Sequence, residues 1–298
     1  VTEYFQKLFA RHGGFLCTCF LVQAAKDAGM HHLIPTCQNV VAIADGHLSL
    51  AVVSGNLMFV PDDDCVGRVL KKDDYDKTQL AVISRHLRKG DVAIDVGANC
   101  GPYTLPMSAM VGDQGKVLAI EPCKYNIGIL HKNMRLHRMS NVVAANLAAG
   151  DAVGTVNLYY NETNFGDHTI LPQKGRRSES CQIWPVDRIL QETIPNRPVR
   201  LIKLDVQGVE YAVLKGAERT INSNRDCALY VEVWPVGLRA AGVHEEALID
   251  LIASWGYIMH ITDNSSRKIL RIRTDDLKRS MAANPHEQVL VDLWCVRE

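Results

Sequence analysis

Three strand ends in this chain carry the residue types that a nucleoside cofactor needs. The first lies in DVAIDVGANCGPYTL, residues 91–105. The apolar run Val92–Val96 reads as a strand, and the glycines Gly97 and Gly101 bracket a short turn after it. A dinucleotide fingerprint would place glycines where Asp95 and Cys100 stand. A carboxylate there repels a pyrophosphate but suits a cation. S-adenosylmethionine carries an ammonium and a sulfonium and no phosphate, so Asp95, Gly97, Asn99 and Gly101 are candidate contacts for it. The alternative for this turn alone is a plain strand-to-helix connection. At the second strand end, after KVLAI, stands Glu121. Its carboxylate could accept both hydroxyls of a ribose, or it could serve the dipole of the next helix. The third, NLAAGD at 146–151, offers room for an adenine ring beside Ala148, with a polar edge contact from Asp151.

The elements that must position these residues follow from the pattern. From about residue 79, strands and helices alternate. Strands are expected at Val92–Val96, Lys116–Ile120, Val142–Ala145, Val199–Leu204 and Ala228–Val233, with Tyr257–Ile261 and Gln288–Val296 closing the set. Helices are expected at Gln79–Arg88, Asn126–His137, Val209–Ile221 and His244–Trp255. Such alternation implies an α/β fold with a parallel sheet covered on both faces. Ligands of such sheets bind at the carboxyl ends of the strands. Residues 1–78 read as a separate extension: a helix over about 14–29, then strand-like pieces around Val40–Ala44, His47–Val53 and Leu57–Val60. Within the domain at 79–298, residues 153–186 form a long connection suited to a hairpin insertion.

Composition bounds the function. Lys+Arg and Asp+Glu both number 33, which argues against a nucleic-acid footprint. The nine cysteines show no CxxC pair, so reduced thiols in a cytoplasmic protein are expected. The apolar stretch Phe15 to Ala25 is too short to span a membrane. A homo-oligomer is left open.

The segments DVGANCGPYTL, LAIEP, NLAAGDAVG, LIKLDVQGVEYAVLKGA and LYVEVWP occur in this order. Together they resemble the FkbM-type family of S-adenosylmethionine-dependent methyltransferases, over roughly residues 67–296. The resemblance implies a class I methyltransferase sheet, Rossmann-like, with a last antiparallel strand. It also implies O-methylation of a hydroxyl on a small acceptor such as a sugar or natural product. Tyr75 falls where the family often has an aromatic–acid pair, which could close over the methionine end of the cofactor. Two departures stand out. Pro102 and Pro106 should make the helix after Gly101 kink or start late. Gln207 replaces the family's usual Glu, removing a charge and with it the grounds for a metal; no metal is expected.

Methyl transfer to a hydroxyl requires the acceptor oxygen to be aligned and its proton removed or shared. Four residues are candidates. Asp205 ends the fourth strand and could be the base, hold the cofactor's ammonium, or cap the next helix. Glu210 sits one turn later and could equally complement the helix dipole. Glu232 ends the fifth strand and, if buried, needs a partner such as Lys203 or Trp234. His168, in NFGDHTIL, is the candidate neutral-pH base, against the plainer role of a solvated loop residue. Two alternatives from other classes are a nucleotide-dependent oxidoreductase and a non-catalytic methyltransferase-fold binding module.

Overall fold

The computed structural model describes residues 41–42, 48–62, 64–72, 76–263, 268–283 and 290–298. The helix expected over 14–29, most of the first expected strand, and Tyr75 lie outside the described residues.

A small antiparallel sheet comes first, built of β1 (Val41–Ala42), β2 (Leu48–Val53) and β3 (Asn56–Pro61). Helices α1 (Cys65–Leu70) and α2 (Lys77–His86) lead to β4 (Val92–Val96). Alternation then sets in: α3 (Thr104–Val111), β5 (Lys116–Ile120), α4 (Lys124–Leu136) and β6 (Val142–Ala145). A second small sheet follows, β7 (Ala148–Gly150), β8 (Gly154–Tyr159) and β9 (Ser178–Pro185). Next come α5 (Val186–Thr193), β10 (Val199–Leu204), α6 (Glu210–Gly216), α7 (Glu218–Ser223) and β11 (Ala228–Val233). The chain ends with α8 (Pro235–Ala240), α9 (Glu245–Ser254), β12 (Ile258–Asp263), β13 (Lys268–Ile272), α10 (Thr274–Ala283) and β14 (Val291–Val296).

Among the described residues, eight strands form the main sheet in the order β13-β12-β14-β11-β10-β4-β5-β6. The run from β6 to β11 is parallel, and β14 enters antiparallel between β11 and β12. This is the class I methyltransferase sheet. All of β4 is buried, as a central strand covered on both faces must be. Its alternate residues serve two cores. Val92, Ile94 and Val96 pack with Val213, Leu214 and Ile249 on one face. Ala93 faces Ile83, Leu105 and Leu130 on the other, together with Met58 and Val60 of the small sheet. From β4 the chain goes outward to β5 and β6, then crosses back to β10 on β4's other side. The switch point therefore opens a crevice above the ends of β4 and β10.

Local departures have local causes. The helix expected at 209–221 is two, α6 and α7. Gly216 ends α6 against the Gly150 backbone, where a Cβ would stand 1.9 Å from the Gly150 oxygen. The helix after Gly101 starts late, at Thr104. Pro106 is thus its third residue, where no intrahelical N–H bond is lost. A boundary at 78/79 would cut through α2, and the β2–β3 hairpin shares a core with α2, α3 and α4. No described helix is long and apolar enough to cross a membrane.

Asn133 on α4 fastens that hairpin to the sheet. Fully buried, it accepts from Phe59 N at 2.6 Å and donates to Phe59 O at 3.0 Å and Cys100 O at 2.8 Å. Asn133→Leu would leave three backbone groups without their side-chain partner, the Cys100 carbonyl fully buried and the two of Phe59 partly so. We expect a loss of about 2–4 kcal/mol in urea unfolding; a loss under about 0.5 kcal/mol would show that the hairpin is not fastened there.

Candidate active site

The crevice begins at Gly97. Its φ is +78°, and a Cβ there would stand 1.8 Å from the Asp205 carbonyl oxygen. Only glycine lets the β4 turn lie directly on the β10 turn. Gly97 N and Ala98 N both donate to Ile120 O, at 3.0 and 3.1 Å. Asn99 is left-handed as well, at φ +49°, and its Oδ1 accepts from Cys100 N at 2.6 Å. Its own N–H donates to Glu121 Oε2 at 2.9 Å, while Cys123 N donates to Glu121 Oε1 at 2.9 Å. Burial pushes the Glu121 carboxyl up to about 7. Gly97, Asn99, Glu121 and Ala148 all line one cleft, which encloses about 810 Å³ including open solvent at its mouth.

Three expected cofactor contacts lie elsewhere. Asp95 is fully buried beneath the cleft and does not line it. Thr104 Oγ1 donates to its Oδ2 at 2.6 Å, and Lys203 Nζ stands 3.3 Å from its Oδ1. Its charge answers an internal lysine rather than facing a ligand. Gly101 is a packing glycine: a Cβ would meet Leu105 Cδ1 and Leu130 Cδ1 at 2.7 Å each. Asp151 is exposed in the turn after β7 and lies outside the cleft.

Lys203, in the apolar strand β10, is almost wholly buried. It donates to Gly97 O at 3.1 Å, sits 3.8 Å from Asp205 Oδ2, and lies over the Tyr103 ring at 4.9 Å. Burial works against its charge, but Asp95 and Asp205 outweigh that and raise its pKa.

A strap, residues 161–170, roofs the cleft. Asp64 caps α1 by accepting from Val66 N and Gly67 N, and its Oδ1 also accepts from Phe165 N at 2.7 Å. Asn99 Nδ2 and Asn126 Nδ2 donate to Phe165 O at 3.3 and 3.0 Å. Thr169 Oγ1 donates to Gln207 O at 3.2 Å. Arg176 holds Asp167 of the strap, and Arg177 stacks on Tyr160 at 3.9 Å; neither guanidinium faces the cleft.

His168 lines the cleft from this strap, but not as a base. Asn161 N donates to its Nδ1 at 3.0 Å, so in the neutral ring the proton is on Nε2. Burial against Tyr160 and Phe165 lowers its pKa to about 4. A ring already neutral, with one nitrogen occupied and the other protonated, offers the cleft a donor. The rise in rate through about pH 6–7 expected of a catalytic histidine loses its basis.

The remaining carboxylates divide cleanly. Glu210 is fully buried outside the cleft and accepts from Gly208 N at 3.0 Å, its pKa pushed up to about 7 by burial. Unlike Asp205, it does not line the cleft. Asp205 lines the cleft, with about a quarter of its side chain exposed. Gln207, at φ +55°, donates through Nε2 to Asp205 Oδ1 at 2.8 Å and to Glu232 Oε2 at 3.3 Å. Burial and the neighbouring Asp205 carboxylate hold Glu232 well above the usual carboxylate range. Asn126, Phe165 and Thr169 are among the cleft residues that sequence spacing did not single out, and Lys203, expected only as a partner for Glu232, lines the cleft as well. Asp187 caps α7 from outside, accepting from Thr220 N at 2.8 Å.

His168 makes a pH signature in stability. Its folded pKa of about 4 lies below the ordinary 6.5, so between those values the unfolded chain binds the extra proton. Stability from this residue therefore rises with pH across that window and is lost as pH falls through it. His168→Gln should flatten the fall in unfolding free energy between pH 6.5 and 4; an unchanged slope in urea titrations would show that the ring is not held neutral.

Residues 95–259 match the Methyltransferase FkbM domain. Methyltransferase 1 of Beauveria bassiana (strain ARSEF 2860) is 29% identical over 144 residues, 42% of this chain and 57% of that protein. Methyltransferase sdnD of Sordaria araneosa is 27% identical over 177 residues, 49% of this chain and 68% of that protein. The crystal structure of methyltransferase FkbM from Methylobacillus flagellatus KT covers 73% of this chain and 47% of its own, with 19% identity and a TM-score of 0.46. The match thus spans little more than half of the Beauveria protein's length. Since the family domain covers more than half of this chain, the protein belongs to the FkbM-type family of S-adenosylmethionine-dependent methyltransferases.

Proposed function

We propose that this methyltransferase acts on oxygen, methylating a hydroxyl of a small acceptor such as a sugar or natural product. Asp205 is the general base. The carrying observation is its position: it ends β10 beside the switch point, and Asp205 and Glu121 are the carboxylates that line the cleft among the described residues. Glu121, with a backbone N–H on each oxygen, belongs to the cofactor wall.

The residues present fit the cofactor. A Cβ at Gly97 would fill the cradle between the β4 and β10 turns, and Glu121 offers one remaining lone pair per oxygen to ribose hydroxyls. Gly97, Asn99, Glu121 and Ala148 would hold S-adenosylmethionine, which supplies the activated methyl group. Asp205 then faces the acceptor and takes its hydroxyl proton. Gln207 Nε2 fixes the Asp205 carboxylate, and Lys203, 3.8 Å from its Oδ2, helps hold it in place. Glu232 keeps its proton at neutral pH and serves as Asp205's hydrogen-bonded neighbour rather than a second base. The strap shuts bulk water from the cleft roof.

A panel of hydroxyl, amine and thiol acceptors, assayed with methyl-labelled cofactor, tests the class. Label should appear on a hydroxyl; turnover confined to amines or thiols would sink the proposal. With that acceptor, Asp205→Asn should lower kcat by about 10²–10⁴-fold while the affinity for S-adenosylhomocysteine changes less than about threefold. Wild-type kcat in this variant would remove Asp205 as base.

Glu121 adds a pH dependence to cofactor binding. Its carboxylate form accepts hydroxyls, and its pKa of about 7 means that form grows as pH rises from 6 to 8. S-adenosylhomocysteine should bind more tightly across that range, and Glu121→Gln should abolish the trend. A flat calorimetric profile in the wild type would exclude Glu121 from the ribose.

A further inference from the structure

Asn126, a residue of the cleft wall, carries a buried acceptor with no partner. It lies in the first turn of α4, is 1% exposed, and lines the cleft wall. Its Nδ2 donates to Phe165 O at 3.0 Å. A carbonyl can only accept, so this bond settles which end of the amide is which. The other end, Oδ1, is buried and has no hydrogen-bond partner. A buried amide oxygen left this way is costly, and in a cleft wall it marks where a donor is due.

Its neighbours say which donor. Asn99 Nδ2 reaches the same Phe165 carbonyl at 3.3 Å, and Asn99 N is bonded to Glu121 Oε2 at 2.9 Å. Asn126 is therefore on the Glu121 side of the cleft, beneath the strap. Each Glu121 oxygen already takes one backbone N–H. A ribose edge presented to this wall brings two hydroxyls, each able to donate. Asn126 Oδ1 is the neutral acceptor available beside the carboxylate.

We propose that Asn126 Oδ1 accepts a hydrogen bond from a ribose hydroxyl of the cofactor while Nδ2 holds the strap through Phe165, coupling cofactor binding to closure of the cleft. The inference rests on the cofactor placement against Glu121 given above. With the hydroxyl in place, the amide is locked in the orientation that grips the strap. Without it, turning the amide over costs no bond at Oδ1, and the grip on Phe165 weakens.

Calorimetry on the full chain, with S-adenosylhomocysteine and its 2′-deoxy and 3′-deoxy analogues, tests this alongside hydrogen exchange of residues 161–170. Asn126→Ala should bind S-adenosylhomocysteine roughly 5–30-fold more weakly. It should discriminate less than wild type against one deoxy analogue, and ligand should no longer protect the strap. Asn126→Asp keeps an acceptor but loses the donor to Phe165, so discrimination should survive while strap protection is lost. A folded Asn126→Ala with wild-type affinity and discrimination would overturn the inference, and so would strap protection unchanged in both variants. Should Asn126→Ala fail to fold, Asn126→Asp and the wild-type analogue series still decide: equal wild-type binding of all three ligands overturns it. Glu121→Gln separates the two levels. If it weakens binding and Asn126→Ala does not, the inference alone fails; if wild type does not bind S-adenosylhomocysteine, the placement beneath it fails and the inference with it.

Discussion

Lys203 is the constraint on which the site depends. A lysine in the middle of a buried parallel strand must find partners or lose its charge. Here it reaches sideways from β10 to β4, to Asp95 Oδ1 at 3.3 Å and Gly97 O at 3.1 Å. Those contacts lock together the two strands between which the crevice opens. Asp95 is sealed off among these partners: its carboxylate balances Lys203 and accepts from the Thr104 hydroxyl in the first turn of α3. One buried ion pair thus touches the Gly97 turn, the next helix and Asp205. Removal of Lys203 would leave the fully buried Asp95 without its counter-charge, a change that costs about 3–5 kcal/mol in such settings, whereas removal of Asp95 would leave Lys203 still beside Asp205.

The roof of the cleft is tied to a part of the chain far away in sequence. Asp64 both caps α1 and accepts from Phe165 N, while Cys65 N donates to Thr163 O at 3.1 Å. The segment before β4 is thereby part of the site's enclosure. Asn133 does the same for the β2–β3 hairpin, bonding Phe59 and Cys100 at once. Two buried asparagines on α4, Asn126 and Asn133, connect the cleft wall to the strap and to the hairpin. A helix whose apolar stripe serves the core has its polar positions serving the site.

Strands were legible from the sequence because burial on both faces demands a mostly apolar run, and the polar residues within one, such as Asp95 and Lys203, must pair with each other. Val92–Val96, Lys116–Ile120, Val142–Ala145 and Val199–Leu204 therefore coincide with β4, β5, β6 and β10. What periodicity does not carry is which way a polar residue at a strand end faces. Asp95 lies inside β4, opposite Ala119, and is paired inward, whereas Glu121 follows the end of β5 and lines the cleft. The inward partner of Asp95 is Lys203, more than a hundred residues further along. The state of His168 was illegible for a related reason. Residue type suggested a base, but its tautomer and pKa are set by Asn161 N–H and by two aromatic rings, all tertiary contacts. Glu210 read as a surface acid or a base, and it is neither, because the β10–α6 turn folds its carboxylate back onto Gly208 N.

Gln207 shows how the acceptor side is tuned. A glutamate there would set a third carboxylate against Asp205 and Glu232, with Lys203 the nearest cation to both. The amide instead donates to each of them, at 2.8 and 3.3 Å. A neutral donor can draw two carboxyl groups together only if they do not both carry full charge. Burial already favours the proton on Glu232, since Asp205 is the member that opens on the cleft. The left-handed backbone at Gln207, φ +55°, is sustained by Thr169 of the strap donating to its carbonyl. The strap, the left-handed turn and the carboxyl pair are therefore one arrangement: Thr169 of the strap bonds Gln207, and Gln207 bonds both Asp205, which lines the cleft, and Glu232.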